Sequence, residues 1–171
     1  MNKKLTAFLT MLICIQLDSV VFARINLLDI RPDAMLGAAV SFGILQGPIF
    51  GAVYGLIGGL IMDLFFGTSL GLYGALYLIA GLSAGFFYKK FYSDNLIVPA
   101  AAAAVAGFVK DFVIAVIRAA GGAQFPFAGI LIRYILPSAV LTGVLCAFMH
   151  IVLKPLLARQ VKRRQFDRLS H

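Results

Sequence analysis

From Gly47 to Gly71 the chain carries a small residue at every fourth position, with one carboxylate set into the row: Gly47, Gly51, Gly55, Gly59, Asp63, Gly67, Gly71. The residues between them are almost all apolar. Four-residue spacing keeps neighbouring members on one helix face, drifting by about 40° per step. Glycine weakens a helix in water, whereas in lipid it lets a second helix backbone approach closely. The row therefore predicts a transmembrane helix packed along Gly47, Gly51, Gly55, Gly59, Gly67 and Gly71. A carboxylate on that face is costly in hydrocarbon and demands a partner inside the protein.

The rest of the chain agrees with a membrane setting. Of 171 residues 61% are hydrophobic and 13% charged, and mean hydropathy is +0.96. Apolar content at that level excludes an ordinary soluble domain. Six apolar stretches stand out, at about 5–23, 33–46, 48–66, 71–88, 96–118 and 130–153. About 20 helical residues cross the ~30 Å hydrocarbon core, so the expectation is an all-α polytopic protein. Its six-helix transmembrane domain covers residues 1–153, and residues 154–171 form a basic cytoplasmic tail. The second stretch is short, which suggests a tilted, bent or half-inserted helix. Pro32 and Pro48 bound it, each suited to a first helical turn, and Pro155 is expected to stop or turn the last helix.

Net charge is +8, and all acidic residues are aspartates. The basic residues fall at span ends, which argues for lipid-facing flanks and against nucleic acid. Lys3, Lys4, Lys89, Lys90, Lys154, Arg159, Lys162, Arg163, Arg164 and Arg168 share one side of a six-span arrangement. The other side has Arg24, Arg31, Arg118 and Arg133. That bias places both termini in the cytoplasm. Phe86, Phe87, Tyr88, Phe91 and Tyr92 flank Lys89 and Lys90 as an interfacial aromatic belt would. The tail reads as a juxtamembrane segment attracted to anionic lipid. Residues 1–23 have a basic start, an apolar core and a passable cleavage site at Val21-Phe22-Ala23. The apolar stretch is nearly long enough to span, and the reading is a retained first helix.

Charged residues inside the spans are the candidates for chemistry. Asp18, Asp63, Lys110 and Asp111 lie about 14 to 16 residues into spans one, three and five, in the outer half of the membrane at ~1.5 Å per residue. Arg118 and Arg133 come at similar depth. The expectation is one buried polar cluster of Asp18, Asp63, Lys110, Asp111, Arg118 and Arg133, tying four helices together. It would serve as ion pairs that fix packing, as an outward-opening cavity, or as a proton or ion path. Asp111 and Arg118, seven apart, share a face, while Lys110 points about 100° away. Asp18 and Asp63 are expected to find cationic partners.

Gly67-Thr68-Ser69-Leu70-Gly71 matches the spacing around many nucleophilic serines. The candidate bases are His150, near the other end of the last span, and His171 at the C-terminus, so no catalytic residue is assigned. The segment reads as a turn in which Thr68 or Ser69 caps the next helix. Cys14 and Cys146 sit in apolar runs as packing thiols. No metal site and no cofactor motif is present in the sequence.

Arg31-Pro32-Asp33, Gly47-Pro48-Ile49-Phe50-Gly51, Gly55, Gly58-Gly59, Asp63-Leu64-Phe65-Phe66-Gly67 and Leu70-Gly71-Leu72-Tyr73-Gly74 together resemble the rod-shape-determining MreD family. In that family an early Pro-Asp precedes helix two, and a glycine-rich third helix ends in Asp-Leu before a Gly-x-x-Leu-Gly turn. The resemblance implies a non-enzymatic membrane scaffold of the bacterial cell-elongation complex. Its implied partners are an MreC-like single-span protein, RodA, a class B penicillin-binding protein and, directly or through these, MreB filaments. It also implies a bundle similar to the substrate-binding subunits of energy-coupling-factor importers. The alternative function is accordingly a vitamin-binding importer subunit.

Overall fold

A computed structural model describes residues 3–21, 32–66, 71–87, 96–122 and 127–169, with backbone alone for residues 3, 4, 21, 66, 127, 128 and 157–169. The elements are α1 (Lys3–Gln16), prolonged by a π-helical turn Leu17–Val21, α2 (Ala34–Gln46), α3 (Pro48–Phe66), α4 (Leu72–Gly85) and α5 (Ile97–Ala120). A short helix Phe127–Ile130 and a π-helical stretch Leu131–Ile135 then lead into α6 (Leu136–Leu169). Among the described residues every element is helical.

The shortest of the six helices lies at the centre. Residues Ala34 to Gly43 of α2 are all buried, and α2 touches each of the other five helices. A helix apolar on all sides is enclosed by protein or by lipid, and here protein encloses it. At 13 residues it is about 20 Å long, roughly two-thirds of the hydrocarbon thickness. Phe42 fills the gap to α3, its ring centroid 5.7 Å from Phe50 and 4.5 Å from Tyr54. Met35, Leu36 and Val40 are fully enclosed. Cys146 of α6 meets α2 through Ser41 Oγ at 3.3 Å and donates to the Gly37 carbonyl at 3.3 Å.

The most extensive interface joins α3 to α4, and here the glycine row has its place. A Cβ on Gly51 would lie 2.5 Å from Gly43 Cα and 2.6 Å from the Gly81 carbonyl oxygen. One on Gly59 would lie 2.6 Å from Gly74 Cα, and one on Gly55 would run into the Tyr77 carbonyl. Gly81 and Gly85 of α4 answer from the other side, against the backbones of Gly51 and Pro48. Helices α5 and α6 pack antiparallel, Gly143 against the Ala100 carbonyl and Gly107 beside Thr142.

Two members of the expected packing row do not belong to it. Gly47 ends α2 at φ 105° and Gly71 starts α4 at φ 97°. Both adopt the left-handed backbone that favours glycine, and a Cβ on Gly71 would meet open space. Gly67 falls outside the described residues. Pro48 is the first residue of α3, whereas Pro32 stands outside α2, one residue before its cap Asp33. Pro155 does not end the last helix, which continues through it to Leu169. Proline removes one intrahelical hydrogen bond and favours a kink, and a long helix can carry that defect.

Among the described residues three helical segments are long and apolar enough to cross a membrane: Pro48–Phe65, Ile97–Ala120 and Leu131–Leu156. Leu5–Val20, Ala34–Gln46 and Leu72–Gly85 are shorter apolar helices. The outer faces of α3, α5 and α6 expose Ile57, Leu60, Val105, Val140, Val144 and Phe148, a surface suited to acyl chains. Replacing Gly55 by Leu should overpack the α3–α4 contact by about 3 kcal/mol or more and lower the melting temperature of the detergent-solubilised protein. Gly71→Ala should cost only about 1 kcal/mol, through its backbone conformation. Fluorescence-detected size exclusion across a temperature ramp reads both.

Candidate functional site

The central helix has a buried start, and the polar residues of the protein gather there. A helix N-terminus leaves backbone N–H groups without intrahelical partners, and in lipid no water can supply them. Two carboxylates do. Asp33 caps α2, its Oδ1 accepting from the Leu36 N–H at 2.8 Å. Asp18 reaches in from the π-helical turn after α1 and accepts from the Ala34 N–H at 2.8 Å and the Met35 N–H at 3.0 Å. The partial positive charge of the helix start favours both anions. A π-helical turn re-aims the side chains along it, and here Asp18 is turned onto α2.

Asp33 then links three further helices. Its Oδ2 accepts from Lys110 Nζ of α5 at 2.8 Å and from the Tyr77 hydroxyl of α4. Its backbone N–H donates to Thr142 Oγ1 of α6 at 3.1 Å. Lys110 also contacts Asp111 Oδ1 at 3.1 Å and lies 6.0 Å from the centroid of the Tyr73 ring. Adjacent residues on a helix diverge, but the four-carbon lysine stem lets the ammonium come back to its neighbour. Asp18, Asp33, Lys110 and Tyr77 are all buried.

The expected cluster is therefore split. Asp18, Lys110 and Asp111 gather around the start of α2, Asp18 on backbone amides where a cation was expected. Asp63 does not join them. It sits buried near the end of α3 and accepts from the backbone N–H groups of Gly71, Tyr73 and Gly74, each at 3.0 Å. It thus caps α4 from the preceding helix, the role expected of Thr68 or Ser69, which lie outside the described residues. Gly71 itself provides no side-chain cap. Arg118 and Arg133 are exposed, and among the described residues neither lies within ion-pair distance of a carboxylate. Long basic side chains near helix ends snorkel toward the interface and so leave buried clusters.

Sequence reasoning did not place Asp33, Tyr77 or Thr142 in the cluster. Asp33 had a legible signal, an aspartate directly before an apolar run. Tyr77 and Thr142 had none, since an apolar-flanked tyrosine or threonine reads the same whether or not its hydroxyl bonds across helices. Arg24, Arg31, Lys89, Lys90, Tyr88, Phe91 and Tyr92 fall outside the described residues, and the tail side chains from residue 157 onward do too. The described residues contain no group of three metal-ligating side chains.

Helices with apolar outer faces, holding their carboxylates inside on backbone amides and a lysine, define an all-helical membrane protein with an internal polar joint. The chain matches the family model described as rod shape-determining protein MreD over residues 1–160, and it belongs to that family. The family is one of shape-determining structural proteins and not a known enzyme family. No curated protein and no solved structure matches the chain.

Lys110→Met should leave the carboxylates of Asp33 and Asp111 buried without their cation and cost about 3–5 kcal/mol. Asp33→Asn combined with Lys110→Met should recover part of that loss, because the amide still caps α2 and no longer needs a counter-charge. Thermal unfolding of the two variants in one detergent compares them. A double variant no more stable than Lys110→Met would count against this pairing.

Proposed function

We propose that this protein is a six-span, non-enzymatic scaffold of the cell-elongation machinery in the bacterial cytoplasmic membrane, with both termini cytoplasmic. On this reading it holds an MreC-like single-span protein beside RodA and a class B penicillin-binding protein, with MreB filaments engaged directly or through them. The observation that carries the proposal is membership of the MreD family along nearly the whole chain. The filled centre supports it. Met35, Phe42 and Tyr77 occupy the middle of the bundle with no exposed surface, and a rigid core suits a protein that positions others. The importer alternative finds no support in the comparisons.

Six crossings agree with the ten-to-four distribution of basic residues. The shorter helices would be accommodated by local thinning of the bilayer. In this arrangement residues 1–153 are the membrane domain. The tail from Lys154 onward lies at the cytoplasmic surface, where each basic residue adds ~1 kcal/mol of attraction to anionic lipid. Gly51, Gly55 and Gly59 serve internal packing, so partners dock elsewhere. Purification from native membranes under gentle detergent should recover a single-span MreC-like protein. Recovery of paired cytoplasmic ATPases with a bound vitamin would overturn the scaffold. A fluorescent protein fused after His171 should mature and fluoresce, which it does only on the cytoplasmic side.

A further inference from the structure

Helices α4 and α5 and the segment leading into α6 leave a cleft between them, at the end of the bundle away from the tail. Its volume is about 180 Å³, and Tyr73, Asp111, Ile114, Arg118, Ile130 and Tyr134 are among its lining residues. Two of these bring unbalanced charge. Asp111 gives Oδ1 to Lys110, while its Oδ2 is buried with no hydrogen-bond partner among the described residues. A buried acceptor without a donor is rare in a folded protein and calls for a specific reason. Behind it, Asp33 and Asp111 share a single ammonium, that of Lys110. The joint therefore carries excess negative charge toward the cleft. Arg118 lines the same cleft without a carboxylate at ion-pair distance among the described residues.

A simple cation would be repelled by Arg118, and a simple anion by Asp111. A ligand bearing both charges meets both demands. Asp111 and Arg118 are two helical turns apart, about 10 Å along the axis, and an arginine side chain shortens that span. Ile114 and Ile130 supply an apolar wall between them. The cleft has room for about six waters and falls well short of a drug-sized pocket. It suits a headgroup and not a whole lipid. Arg118 stands in the last turn of a helix long enough to cross the membrane, and the end of a crossing helix comes near the lipid phosphates. Ile117 and Ile132, next to the cleft in sequence, are exposed and offer acyl chains a path outside it.

The geometry points to a binding site for a phosphoethanolamine group, its primary ammonium donating to Asp111 Oδ2 and its phosphate held by Arg118. The Tyr73 and Tyr134 rings flank it. The inference concerns this cleft alone and stands whether or not the scaffold reading does. The source of the group is a phosphatidylethanolamine headgroup or a water-soluble phosphoethanolamine ester, since both carry the same chemistry.

Native mass spectrometry of the full chain, released from nanodiscs of defined lipid, tests it. Phosphatidylethanolamine should be retained at one copy per protein, roughly tenfold over phosphatidylcholine, whose quaternary ammonium cannot donate. Arg118→Gln alters an exposed side chain outside the buried ion pairs. It should cut retention of phosphatidylethanolamine several-fold, by removing the phosphate contact, while the melting temperature stays unchanged. Asp111→Asn should reduce that retention too, and where that variant fails to fold, Arg118→Gln carries the test. Displacement of the lipid by millimolar glycerophosphoethanolamine would support the site and assign it a soluble ligand, whereas resistance to it would support the lipid. Equal retention of the two lipids, or retention unchanged by Arg118→Gln, would overturn the proposal.

Discussion

The start of α2 is the constraint on which the remaining structure depends. A 13-residue helix enclosed by five others must have its first N–H groups satisfied where water does not reach, because each one left alone costs several kcal/mol. Asp18 and Asp33 take three of them. Supplying two carboxylates creates a second problem, since buried anions need compensation of their own. The helix dipole, Lys110 and the Tyr77 hydroxyl provide it, while Thr142 Oγ1 accepts from the Asp33 backbone N–H. One unmet backbone requirement thereby brings α1, α4, α5 and α6 to a single point on α2. Polar contacts are directional where apolar packing in lipid is not, so this joint fixes register among helices that could otherwise slide.

The same solution appears a second time, on a smaller scale. Asp63 at the end of α3 accepts from three amides at the start of α4. Glycine contacts below that point bring the α3 and α4 backbones together at Gly59, Gly55 and Gly51 in turn. The two devices support one another. Close approach by glycine puts the Asp63 carboxylate within reach of the next helix, and the cap holds the two backbones in the register that the glycines require. A short connection across residues 67–70 then suffices, with left-handed Gly71 turning the chain into α4.

This explains which parts were legible in the sequence. Helix positions followed from apolar run length, a property of each segment alone, and the glycine row at Gly51, Gly55 and Gly59 announced a close-packed face. Gly47 and Gly71 matched the same spacing for a different reason: they are turn residues that fall in phase with it. Pattern cannot separate a glycine chosen for missing bulk from one chosen for positive φ. Distance along the spans puts Asp18, Lys110 and Asp111 in one layer, but depth fixes only one coordinate of three. Rotation about the helix axis decided that Asp63 faces α4, that Arg133 is exposed and that Arg118 lines the cleft beyond Asp111. The π-helical turn at Leu17–Val21 altered the rotation of Asp18, and no sequence periodicity announces such a turn.

Reading buried carboxylates as halves of ion pairs was the step that misled, and its correction is general for such chains. In hydrocarbon the scarce resource is a satisfied backbone N–H, and an aspartate near a helix start is first a substitute for the missing turn of carbonyls. Its search for a cation comes second, and only for the charge that the helix dipole leaves uncompensated. Asp63 stops at the first stage, with three amides and no lysine. Asp33 takes both, its Oδ1 on the Leu36 N–H and its Oδ2 on Lys110. At the start of α2 Asp33 takes a lysine besides a backbone N–H, whereas Asp18 and Asp63 take only backbone N–H groups.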